Sequence, residues 1–409
     1  MADWKRTDIT HELSAVMVSQ TNFAQTLGTI SGVDWRSSSL EAAYYTDLRT
    51  GGKLRVKEGA WTRGAFIRIV HHVPEFGYTR TLGTYVVTDE APQKVGGEWF
   101  TDLTLDSTLV MLADDLFTRP LPIDRGMWAV DAMKKVLIGS GAGAMRDAFG
   151  DFGSASRAAR VAVDDSLADD VKATKAQVLE AGKSRLEAFF ALANMSNNRI
   201  DVTPDGYIKV SRYTAPASKS PSFTFDMRDT RGTVLADTLT RSSDWLTMPD
   251  TFAVRHDYSV EVKTGEVYKT SGTRADGTKY KAGDPKTKTE QRSIYGQAVA
   301  KFGSQTQSVG SRGYSIVDFR QVNSISPHTQ QAVDEYARKL LYSDVEQVEW
   351  ELRTTYVPLW EGDVVNLVIR DGDAAYRGTR KCLVKNVDID LGTMLMSLTL
   401  KETAGGDAE

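Results

Sequence analysis

Residues 356–400 read YVPLWEGDVVNLVIRDGDAAYRGTRKCLVKNVDIDLGTMLMSLTL. Apolar runs of strand length, VVNLVI and CLVKNV, are separated by Asp-Gly-Asp at 371–373. The stretch ends in MLMSLTL, where apolar and polar residues alternate. Period-two alternation between turn residues marks half-buried strands rather than helices. This end of the chain is therefore all strand, and VEQVEWELRTT just before it continues the pattern.

Working upstream, PHTQQAVDEYARKLLY reads as a helix over 327–342, with Ser326 as N-cap and Pro327 at the first helical position. At the far end, residues 12–105 hold VMVSQ, EAAYYTDL, KLRVKEG, AFIRIVHHV and LGTYVVTDE, all bounded by turn residues. Many short strands without helices between them predict a barrel or sandwich. The pattern changes near 125, where Trp128, Val130, Met133, Val136 and Leu137 lie close to helical spacing. Asp124 is the candidate N-cap of that helix and the glycines after Ile138 its stop. Residues 139–170, rich in Gly, Ala, Ser and Asp, read as a flexible connection. A second helix is predicted over 173–197, with Leu179, Leu186, Phe189, Phe190 and Leu192 on its apolar face. In NRIDVTPDGYIKVSRY the turn Pro204-Asp205-Gly206 joins two alternating strands. TFAVRHDYSVEVKTGEVYKTSG is strand again, whereas the lysine-rich TRADGTKYKAGDPKTKTEQR reads as an exposed loop.

The 409 residues allow two to four domains at roughly 100–200 residues each. A hydrophobic share of 41% and a charged share of 25% are ordinary for a folded domain. The net charge of -4 gives no basic excess for wrapping nucleic acid. The lone Cys382 excludes internal disulfides and multi-cysteine metal sites, and its strand-like flanks suit a small buried residue. The start lacks the apolar core of a secretory signal, and no window approaches about 18 apolar residues. Synthesis in a cytoplasm is expected.

The catalytic motifs fail on context. In VLIGSGAGAM, Gly139, Gly141 and Gly143 follow a predicted helix. A dinucleotide loop must instead follow a strand and open a helix. AGKS at 181–184 has Gln177 where a P-loop needs glycine and falls inside the predicted second helix. DFG at 151–153 lacks the companion motifs of a kinase. Of the five histidines, His71 and His72 are adjacent in a strand and must point to opposite faces; His11, His256 and His328 are scattered. Glu41, Asp47 and Asp89 are candidate paired carboxylates, with solvated strand faces as the plainer reading. The eight tryptophans and fifteen tyrosines are scattered, which suits core or interface packing. No catalytic, cofactor-binding or metal residue is assigned, no cofactor is expected, and the chain is read as not an enzyme.

The order of these elements resembles the tail hub proteins of tailed bacteriophages, the family of baseplate hubs and the N-terminal part of tail-associated lysozymes. The turn Pro358, Gly362, Asp363, Val365 and the closing strand MLMSLTL carry the resemblance. AFIRIVHHVPEFGYTRTLGTYVVTDE, LDSTLVMLADDLFTRPLPIDRGMWAVDAMKKVLIGSG and SRLEAFFALANMSNNRIDVTPDGYIKVSRY add to it. The resemblance implies an α+β, mainly β chain with several small tube-like β-barrel domains and a few packed helices. The expected divisions are a first barrel at 1–105, a helix-containing domain at 106–200 with its flexible linker at 139–170, and a second β domain at 201–325 with the exposed loop at 272–292. A helix plus closing barrel strands at 326–402 and a disordered tail at 403–409 complete them.

The resemblance also implies a homotrimeric ring at the tail tip, in the virion. It would join the distal tail or tail tube protein to tip or fibre proteins and pass tape-measure protein and DNA through its channel. The chain ends about ten residues after the last strand, so no fused wall-degrading domain is expected. Two other readings stay open at this point: a tail adaptor or receptor-binding component contacting host polysaccharide, and a cell-wall hydrolase.

Overall fold

The computed structural model describes residues 4, 9–20, 22–117, 120–124, 126–138, 161–163, 177–195, 198–228, 233–235, 238–243, 249, 251–273, 279–299, 316–322, 325, 328–344, 348–370 and 377–403. The first stretch carries β1 (Glu12–Val18), β2 (Thr26–Thr29), β3 (Val33–Ala43), β4 (Thr50–Lys57), β5 (Phe66–Val73), β6 (Tyr78–Val95) and β7 (Glu98–Asp106). Next come α1 (Val110–Ala113), β8 (Leu121–Ile123), α2 (Ala129–Ile138), β9 (Val161–Val163), β10 (Gln177–Leu179), α3 (Arg185–Met195), β11 (Asn198–Val202) and β12 (Ile208–Arg212). The third stretch holds β13 (Phe223–Asp226), β14 (Thr240–Ser243), β15 (Thr251–Val267), β16 (Gly272–Thr273), β17 (Lys279–Tyr280), β18 (Pro285–Val299) and β19 (Val317–Val322). The chain continues through α4 (Gln330–Asp344), β20 (Val348–Thr355), β21 (Val364–Ile369), β22 (Gly378–Asp390) and β23 (Leu395–Glu402). With 57% strand and 12% helix, the fold is α+β and mainly β.

Alternation in sequence becomes alternation in burial. In β20, Val348, Trp350, Leu352 and Thr354 face inward while the residues between them face out; β23 repeats this with Met396, Leu398 and Leu400. These strands join one large sheet, ordered β14-β20-β23-β22-β3-β4-β7-β6-β5-β1-β2, with β13 and β21 branching from β22. The expected barrels are not closed. The path ends at β14 and β2, both only four residues long, and short edge strands are one way a sheet limits unwanted pairing.

Packing groups the chain differently from the sequence divisions. The C-terminal strands are not a separate unit: β22 pairs with β3 from Asn386↔Ala43 to Asp390↔Ser39, so Val387 and Ile389 share one core with Leu40 and Ala42. The helix before them belongs elsewhere. α4 covers the smaller sheet β18-β15-β19, with Val333 and Ala337 against Phe252, Val254 and Ala298. It sits on bare backbone at Gly296, where an added Cβ would lie 2.7 Å from a Val333 methyl. A third core joins α2, α3, β11 and β12 through Met133, Val136, Phe189, Ile200 and Val210.

Three helix starts differ from expectation for local reasons. α2 begins at Ala129, because Asp124 lies in a turn, its carbonyl accepting from the Met127 N–H, and Gly126 follows at φ 85°. The second predicted helix loses its first half: Gln177–Leu179 is a strand paired with β8, and Gly182 turns the chain at φ 85°. AGKS therefore lies in the turn that leads into α3, not inside a helix. Ser184 caps α3, its Oγ accepting from the Glu187 N–H at 3.0 Å. Ser184→Ala is expected to cost about 1 kcal/mol, read as a lower melting temperature. α4 starts at Gln330 with Thr329 as its cap, Oγ1 accepting from the Ala332 N–H at 3.2 Å. Ser326 and Pro327 lie outside the described residues.

The predicted loop at 272–292 is exposed but is largely strand. β16 and β17 pair with each other, and Pro285 onward pairs with β15. Its strand residues alternate among Lys, Thr, Glu and Gln with no apolar face, so hydrophobic periodicity had nothing to read. Of residues 139–170 only β9 is described, paired in parallel with β12; Gly139, Gly141, Gly143 and the DFG triplet fall outside, as do 404–409. The Pro204-Asp205-Gly206 turn forms as expected, Gly206 at φ 89°, and docks on the large sheet, where the Thr84 hydroxyl of β6 donates to the Pro204 carbonyl at 2.9 Å, and the Thr108 hydroxyl after β7 donates to the Gly206 carbonyl at 2.9 Å.

Candidate functional site

The turn that carried the resemblance joins the large core to Tyr44 and to Arg199 of β11. Gly362 adopts φ 85°, and a Cβ there would meet the Tyr44 ring at 3.1 Å. The Trp360 N–H donates to Asp363 Oδ2 at 2.8 Å, Arg80 reaches the Pro358 carbonyl at 2.8 Å and Lys219 the Gly362 carbonyl at 3.0 Å. Gly362→Ala therefore meets both backbone strain and the Tyr44 ring. It should cost about 1–3 kcal/mol, measurable by denaturant unfolding.

Around this turn the charges are buried. The Arg199 guanidinium stacks 3.6 Å over Tyr44 and pairs with Asp201. Burial pushes the Glu361 carboxyl up to about 8, although Arg199 favours its charged form. Burial, reinforced by Arg199 and Arg49, lowers the Lys339 ammonium on α4 to about 8. No sequence signal marked this cluster, because its members are far apart along the chain.

Beside it lies an open groove of about 500 Å³, lined by Glu41, Asp47, Asp106 and Asp388 with one guanidinium, Arg49. Gly51 keeps its floor clear: a Cβ there would lie 3.3 Å from Glu41 Oε1 and 3.7 Å from Asp106 Oδ1. Two of the three candidate carboxylates, Glu41 and Asp47, thus come together, while Asp89 is on exposed β6 away from the groove lining.

The histidines pair in twos. His71 is fully buried and His72 is not, as adjacent strand positions require. His11 Nδ1 and His71 Nε2 share a hydrogen bond at 2.9 Å, and His256 Nε2 and His328 Nδ1 share another at 2.8 Å. Among the described residues no three His, Cys, Asp or Glu side chains gather as a metal site. Cys382 is fully buried, and burial raises its thiol well above the usual range.

The small sheet presents its second face to solvent. Alternation puts Val299, Thr251 and Val317 in one cross-strand row and Gln297, Ala253 and Phe319 in the next. Tyr295, Arg255 and Gln321 follow. Tyr295, Val299, Val317 and Phe319 are each more than half exposed. Asp257 closes this apolar patch by accepting from Arg255 at 2.8 Å and Gln321 at 2.7 Å. Past Ser259 the strands β15 and β18 run on as a two-stranded ribbon with polar residues on both faces.

No family model matches this chain, and no curated protein matches it. Solved structures do. The chain is similar to the tail protein from Neisseria meningitidis MC58, with a TM-score of 0.57 and 12% identity, covering 96% of both chains. It is also similar to the 43 kDa tail protein of prophage MuSo2 from Shewanella oneidensis, with a TM-score of 0.56 and 10% identity, covering 96% of this chain and 98% of that one. Its fold is that of phage tail proteins. Identity this low carries the architecture alone. Among the described residues no helix is long and apolar enough to cross a membrane.

Proposed function

We propose that the chain is a structural component of a phage tail, a hub at the tail tip that forms a homotrimeric ring. The observation that carries this reading is the likeness of the fold to two phage tail proteins over nearly the whole of each chain. The ring would join the distal tail or tail tube protein to tip or fibre proteins and leave a channel for tape-measure protein and DNA. The chain acts mechanically rather than as an enzyme, and its place is the virion. The features that serve assembly are an exposed apolar sheet face, a protruding ribbon and a rigid junction locked by the Pro358–Asp363 turn.

Mass measurement in solution tests this reading. A trimer is expected, either alone or on adding the adjacent tail-ring protein. A monomer in both settings overturns it.

A further inference from the structure

The ribbon is out of proportion to what supports it. From Ser259↔Gln291 to Val267↔Pro285 it runs roughly 25 Å at about 3.3 Å per residue, starting three residues past His256, the last residue paired with β19. Among the described residues it has no third strand and no buried face; from Lys263 to Val267 every residue is exposed. A two-stranded hairpin of this kind is marginal on its own in water. Its tip is basic: residues 267–288 hold five lysines and one arginine against two aspartates, with Lys286 and Lys288 paired to Glu266 and Glu290 on the stem. The chain as a whole is acidic, at -4.

The ribbon continues the open face of the small sheet. Tyr295, Val299, Val317 and Phe319 together expose on the order of 400 Å² of apolar surface, the size at which a patch marks an interaction site. Tyr, Phe and Arg are side chains that anchor interfaces, and Arg255 is held over the Tyr295 ring at 6.0 Å. Apolar centre and polar margin thus lie on one continuous surface.

The chain also carries a surface of opposite charge. The groove of Glu41, Asp47, Asp106 and Asp388 holds four carboxylates and one guanidinium, and among the described residues none of the four carboxylates forms an ion pair. A basic arm and an acidic groove on one chain are complementary between copies. Because the two surfaces differ, the contact is head-to-tail, the kind that closes a ring.

We propose that the Tyr295–Phe319 face and the basic ribbon beyond it dock on a second copy of this chain, with the ribbon lying along that copy's acidic groove. This rests on the assembly reading above and names the surfaces that would carry it. Electrostatic pairing of this kind fixes orientation and register more than it adds affinity, so the apolar face supplies most of the holding energy.

Two exposed charge reversals test it by sedimentation, with circular dichroism to verify folding: Lys279→Glu with Lys281→Glu on the ribbon, and Glu41→Lys with Asp47→Lys in the groove. Each should weaken self-association by at least about tenfold. Mixed together, they should regain association, since the reversed ribbon and the reversed groove are again opposite in charge, as are the two unaltered surfaces. Phe319→Ser is the third variant and should also weaken association.

A ribbon reversal that associates like the unaltered chain overturns the proposal, as does a mixture that stays monomeric. If the unaltered chain still joins the tail ring in those cases, the tail reading stands and only these surfaces are wrong. If it associates with neither itself nor the ring, the tail reading fails too.

Discussion

Tyr356→Ala should destabilise the large sheet by roughly 3–5 kcal/mol, the range for emptying a buried aromatic site. Tyr356 is 2% exposed and joins elements from both ends of the chain. Its ring meets Trp4 at 5.6 Å, His11 at 5.9 Å and His71 at 4.5 Å, all edge-on. Trp4 in turn packs edge-on against Phe76 and Tyr78. Removing Tyr356 therefore opens a cavity and detaches the N-terminal residues together. Tyr356→Phe keeps the ring and gives up only the hydroxyl, a loss of about 1 kcal/mol. Urea unfolding followed by tryptophan fluorescence reads both variants. A Tyr356→Ala chain within about 1 kcal/mol of the unaltered one would show that the ring bears no such packing.

Acid should weaken the same region. Burial lowers the His71 imidazole to about 4, with His11, His72 and Arg80 adding to the effect. Burial lowers His11 as well. In the unfolded chain the imidazole takes its proton near 6.5, while the folded chain resists until about 4. Between those values the unfolded state binds the extra proton, so stability is full above pH 6.5 and falls as pH drops towards 4. The shift corresponds to roughly 3 kcal/mol for His71. His71→Phe keeps an aromatic ring beside Tyr356 and removes the titration. Its stability should fall less between pH 7 and pH 4.5 than that of the unaltered chain. Parallel pH profiles would contradict this account.

The parts of the fold legible in sequence were those with one buried face. MLMSLTL and VEWELRTT alternate because one side of each strand meets the large core, and both became strands with the expected faces inward. Pro204-Asp205-Gly206 was legible because only a glycine suits the left-handed backbone at its end. The first strand of the ribbon was legible through Val260 and Val262, but its returning half at 272–292 was read as a loop because neither of its faces is buried and Lys, Thr, Glu and Gln give period two nothing apolar to show. The first half of the predicted second helix was misread because Leu179 fitted a helical face. In the structure it lies on a short strand packed against that same helical core. The S-x-x-E spacing of Ser184 and Glu187 was the local signal for the true start.

The site was less legible than the fold. Pro358, Gly362 and Asp363 marked a turn but not its neighbours. Arg49 reaches it from the loop before β4, and Arg199 and Asp201 from β11, and no local spacing encodes such a meeting. Glu41 and Asp47 were visible only as two of 54 acidic residues, and it is the pairing of β3 with β4 and β22 that sets them in a common groove.

Gold-labelled antibody against this chain, imaged on isolated tails by electron microscopy, tests the central claim most directly. The account predicts label at one end of each tail, at the tip. Label along the tube, or purified tails that lack the chain, would contradict it.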